Sequence, residues 1–92
     1  MPLSAREVAD YIRADNSPGW ERWNAWFEGT HDSAIALVKT LQAGLGVQAS
    51  IDPAGAGQLV HVFLRPGRED EVAQAADALH LVYQDPKKMR RA

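Results

Sequence analysis

The chain has 92 residues, 46% of them hydrophobic and 24% charged, with no cysteine and a formal charge of −2. That length fits one small domain with one modest core, and the composition is that of a globular protein rather than a disordered or fibrous one. Disulfide and thiolate-metal stabilisation are excluded, so packing alone must hold the fold. The N-terminus lacks a basic region followed by an apolar run, and no apolar segment approaches the ~18 residues of a membrane span, which predicts a soluble cytoplasmic protein without a membrane partner.

The charge is unevenly placed. Residues 1–86 carry 6 Lys/Arg against 12 Asp/Glu, a net of −6, whereas "KKMRRA" at 87–92 adds four basic residues and no acid. We therefore expect a single α+β domain over 1–86 and a basic tail over 87–92. An acidic body repels phosphate backbones, so broad nucleic-acid binding is expected only through that tail.

In chain order, "SARE" opens a first helix over 4–15: Ser4 caps, Glu7 returns the bond, and Ala5, Val8, Ala9 and Ile12 recur at helical spacing. "DNSPG" breaks it. The next stretch, "SPGWERWNAWFEG", begins with a capping Ser17 and a Pro18 suited to a first helical position. As a helix it places Trp20, Trp23, Trp26 and Phe27 on one stripe, which is the preferred reading. As a strand, "WNAWFE" alternates Trp23, Ala25 and Phe27 with Asn24 and Trp26.

"THDSAIALVKTLQAGLG" predicts a helix capped by Thr30 or Asp32, with Ala34, Leu37, Val38, Leu41 and Leu45 as its apolar stripe and Gly44 and Gly46 as its stop. "VQASID" and "LVHVFLR" then form a hairpin around "PAGAG". "PG" at 66–67 ends the hairpin, and Glu69, Asp70 and Glu71 complement the dipole of a last helix. Its stripe runs through Val72, Ala75, Ala76, Leu79, Val82 and Tyr83. Leu81 falls opposite that stripe, so a helix stopping near Leu79 leaves "HLVYQ" free to be a short strand.

Two orders follow. With every doubtful segment helical, the chain is three helices, a β-hairpin and a C-terminal helix, which resembles a winged-helix unit in order alone. With both doubtful segments as strands, it is an N-terminal helix followed by a ferredoxin-like βαββαβ unit.

No motif specifies a reaction. In "THDS" the adjacent His31, Asp32 and Ser33 diverge where a triad must converge, and such residues are expected at a helix cap. His31, His61 and His80 are scattered without metal-ligand spacing, and the pair Asp77 and His80 is too small a site, so no metal or cofactor is assigned. "PAGAGQ" lacks the lysine and context of a phosphate loop. DNA binding through a winged-helix route finds only Lys39 on the third helix.

The expected function is therefore a non-enzymatic protein–protein interaction module, an inhibitor or adaptor for a larger protein, a class that includes phage-encoded antagonists of host defence machinery. A winged-helix-type nucleic-acid-binding domain, using the third helix and the basic tail, is the alternative. The partner-binding residues are Trp20, Trp23, Trp26 and Phe27, with Trp26 partly exposed; Lys87, Lys88, Arg90 and Arg91 add electrostatic contact. An open strand edge and surplus aromatic surface predict a homodimer.

Overall fold

The computed structural model describes residues 3–52 and 58–86, in the order α1 Ala5–Asp15, β1 Trp23–Glu28, α2 His31–Lys39, β2 Gln48–Asp52, β3 Leu59–Leu64, α3 Glu69–Ala78 and β4 Val82–Gln84. The hairpin loop and the basic tail lie outside the described residues. The four strands form one antiparallel sheet in the order β2-β3-β1-β4. This is α+β, and of the two expected orders it is the ferredoxin-like βαββαβ arrangement behind an N-terminal helix.

The first helix starts as its sequence predicts. The Ser4 side chain accepts from the Glu7 amide at 3.1 Å, and the Glu7 carboxylate accepts from the Ser4 amide at 3.0 Å. Val8, Ala9 and Ile12 are its buried face. Helix α2 is capped by Thr30 and runs on as a π-helical segment, Thr40–Leu45, which Gly46 ends at φ 64°. All three helices lie on one face of the sheet, where Ile12, Leu37, Leu41 and Val72 meet Phe27, Val60 and Val62 in a single core.

Two expected helical segments are strands. Over residues 23–28 the chain is β1, one of the sheet's two inner strands, paired with β3 on one side and β4 on the other. The reason is tertiary: a strand flanked on both sides satisfies its backbone twice, and period-two alternation buries Trp23, Ala25 and Phe27 together while Trp26 turns away. A helical stripe would have gathered three indoles on one side of a domain too small to bury them. Ser17 and Pro18 belong to a turn closed by the Trp20 amide donating to the Ser17 carbonyl at 3.0 Å, not to a helix start.

The last helix stops at Ala78, and residues 82–84 form β4. The Leu81 amide donates to the Ala76 carbonyl at 2.9 Å, a closing bond of a left-handed helix end, with His80 at φ 61° in the position glycine normally takes.

β4 is short, pairing only with Trp26, Phe27 and Glu28. At Asn24, beyond the reach of β4, the buried side chain of Asn16 takes the place of a strand. Its Oδ1 accepts from the Asn24 amide at 2.9 Å, and its Nδ2 donates to the Asn24 carbonyl at 3.1 Å and to the Ile12 carbonyl at 2.8 Å.

Candidate binding face

Among the described residues, the sheet has one face covered by helices and one face that no helix covers, the open face. Because side chains alternate along a strand, the residues opposite the core come into register in three cross-strand rows. Gln48, Phe63 and Asn24 form one; Ser50, His61, Trp26 and Gln84 the next; Asp52, Leu59, Glu28 and Val82 the last.

The first two rows hold a continuous aromatic stack. The Trp26 and His61 rings lie 4.6 Å apart and within 4° of parallel, and the Phe63 ring follows at 4.1 Å from His61, tilted by 50°. All three are half-buried. His61 Nε2 is 2.9 Å from Asn24 Oδ1, which fixes the ring across β1 and β3. Burial between its neighbours lowers the His61 pKa below its ordinary 6.5, with Asp52 pulling weakly the other way, so the ring is neutral at pH 7.

The two ends of this face differ in charge. At the end where β1 and β2 begin and β3 stops, Arg22, Gln48, Phe63, Arg65 and Arg68 border a cavity of about 360 Å³. Arg68 is compensated there, donating to Glu71 at 2.8 Å and to the Leu45 carbonyl at 2.7 Å. Arg22 donates only to the neutral Gln48 amide oxygen, at 3.2 Å, and neither it nor Arg65 forms an ion pair among the described residues. Glu28 and Asp52 occupy the opposite end.

The strand divides the expected aromatic stripe. Trp23 is 5% exposed and Phe27 fully buried, both in the core; the Trp23 indole N–H donates to the Ser17 carbonyl at 2.9 Å. Neither is available to a partner. Trp26, expected to stay partly exposed, lies on the open face, and Trp20, 53% exposed, sits in the turn before β1. Lys87, Lys88, Arg90 and Arg91 lie outside the described residues. Sequence reasoning missed His61, Phe63, Arg22 and Arg65. The signal was present in "LVHVFLR", where His61 and Phe63 alternate with the buried Val60, Val62 and Leu64.

The "THDS" group is a cap, as expected. Thr30 Oγ1 accepts from the Ser33 amide at 3.1 Å and donates to Ser33 Oγ at 3.0 Å, which donates to the Thr30 carbonyl at 3.0 Å. No group of three or more His, Asp or Glu able to hold a metal occurs among the described residues, and none of their helices is long and apolar enough to cross a membrane. Compared with protein families, curated proteins and solved structures, the chain matches none.

Proposed function

We propose that this chain is a non-enzymatic binding module whose partner docks on the open face of the sheet, with Trp26, His61 and Phe63 as the contact platform. The observation that carries this reading is the three-ring stack on β1 and β3, half-buried on the face away from the helices. A stacked, hydrogen-bonded platform is pre-ordered, so binding loses little side-chain entropy there. Ser33, the hydroxyl of the group that invites a catalytic reading, is engaged with Thr30 in capping α2.

An inhibitor or adaptor role toward a larger protein, the role expected from the sequence, is one use of such a face, with Trp26 as its anchor. Nucleic acid, which the sequence offers only as a winged-helix-type alternative through the third helix and the tail, has one observation of its own on this face: Arg22 and Arg65, without ion pairs among the described residues, beside Phe63. Self-association is a separate proposal. Its candidate edge is β2, where Gln42 Nε2 already donates to the Ala49 carbonyl at 2.6 Å and blunts the outer side.

The test is site-specific photocrosslinking in cells expressing the chain. A benzoylphenylalanine replacing Trp26 is expected to trap the partner, whereas one replacing Gln74, exposed on α3, is expected to trap nothing. Equal trapping from both positions would contradict the proposal.

A further inference from the structure

The binding-face reading leaves the chemistry of the occupant open, and the pattern on the face narrows it. We infer that the open face holds single-stranded nucleic acid, with bases stacking on the Trp26 and Phe63 rings and backbone phosphate meeting Arg22 and Arg65 at the end of the sheet. This inference rests on the reading of the open face as the binding surface.

Three features of the face fit that occupant together. Its half-buried rings are contiguous: Trp26, His61 and Phe63 run as one stack beside the exposed Val82, and any base presents a π-face to such rings. Uncharged hydrogen-bonding side chains flank the stack, Gln48 and Ser50 on β2 and Gln84 on β4. Amides of this kind match the paired donor and acceptor of an unpaired base edge. The positive charge sits where the stack ends: Arg22 immediately precedes β1, four residues before Trp26, about 13 Å at ~3.3 Å per extended residue. Guanidinium groups bind phosphate oxygens bidentately.

The net negative charge does not decide against this. Eight of the twelve acidic residues lie on α1, α2 and α3, behind the sheet. The molecule measures 26 Å along its shortest axis, and at physiological salt charges are screened over about 8 Å. Of the other four acids, Glu28 and Asp52 lie at one end of this face, Glu21 precedes Arg22 and Asp85 follows Gln84; Arg22 and Arg65, with the compensated Arg68, carry the positive end. A duplex would present no free base faces to the rings, so the pattern selects single strands.

The experiment is fluorescence anisotropy of 5′-labelled decathymidylate, decauridylate and a ten-base-pair duplex, titrated with the full chain between 20 mM and 200 mM salt. Both single strands are expected to bind at least ten-fold more tightly than the duplex. Trp26→Ala and Phe63→Ala should each weaken single-strand binding about ten-fold. Arg22→Gln with Arg65→Gln should lower the log–log salt slope by about 1.4, at ~0.7 per phosphate contact. Glu28→Lys should tighten binding, an effect that misfolding cannot produce.

Deleting residues 87–91 should leave the preference for single strands intact. The inference is overturned by duplex bound as tightly as single strand, by no binding at 20 mM salt, or by binding that survives Trp26→Ala and vanishes with the tail. A protein trapped from position 26 alongside any of those results would keep the open face as the binding surface and remove nucleic acid as its occupant.

Discussion

Asn16 carries more of the fold than its size suggests, because one side chain satisfies the backbone of two elements. Its amide joins the end of α1 to the stretch of β1 that β4 leaves unpaired. Asn16→Ala should cost about 2 kcal/mol by leaving the Asn24 amide and carbonyl without partners. The urea midpoint should fall with an unchanged slope. Asn16→Asp should fare no better, since a carboxylate cannot donate to either carbonyl. His80 is the opposite case: a side chain held at φ 61° where glycine fits without strain. His80→Gly is expected to stabilise the protein by roughly 0.5 kcal/mol, the relief being partly offset by the freer unfolded chain. A thermal midpoint below that of the parent would contradict this. At Gly29 space, not φ, is limiting, because an added Cβ would lie 2.6 Å from Ser33 Oγ and 2.9 Å from Leu81 Cγ.

Between elements, α1 and α3 are clamped by Arg13, which donates to the buried Glu69 carboxylate at 2.7 Å and also pairs with Asp10. Burial alone would raise the Glu69 pKa. The bonds from Arg13, from its own amide and from the Gly67 amide outweigh burial and hold it below the ordinary 4.5. A carboxylate with a depressed pKa contributes stability above its unfolded value, and that contribution is lost as pH falls through the folded one. Stability of the parent should therefore drop below about pH 4.5. Glu69→Gln should flatten that slope and lower stability at pH 7 by about 1 kcal/mol, the half-exposed Arg13 keeping the figure small.

On the sheet His61 acts in the same direction, as a penalty that appears on acidification. Its lowered pKa means that the unfolded chain takes up a proton more readily, so its contribution is unfavourable as pH falls below 6.5. Its ring should titrate below 6.5 by NMR, and Trp26→Ala, which uncovers it, should move the midpoint back toward that value. An unmoved midpoint would mean that Trp26 does not desolvate it.

Much of this element structure was legible in the residues. Caps at Ser4 and Thr30, the hairpin strands and the start of α3 follow from local chemistry that the tertiary structure does not override. β1 was ambiguous because Trp23, Trp26 and Phe27 satisfy both a helical arc and a strand alternation, and only pairing to β3 and β4 separates the two. β4 announced itself through Leu81, whose misfit on the helical stripe marks the chain's exit at His80. The open face was the least legible part: His61 and Phe63 read as strand residues, and nothing local indicates that Trp26, 35 residues before His61, stacks on it.

Among the described residues, one sheet face is packed by three helices and the other carries no helix, aromatic along its centre and oppositely charged at its ends. The proposed function requires that face to be the one a partner meets. The most direct measurement is a ¹⁵N–¹H correlation spectrum of the uniformly labelled chain titrated with decathymidylate. We expect progressive shifts at the Trp26 indole and at the amides of Asn24, Trp26, His61 and Phe63, while the Trp23 indole, bound to Ser17 in the core, stays in place. Shifts confined to α1 and α3, with the Trp26 indole unmoved, would contradict the account.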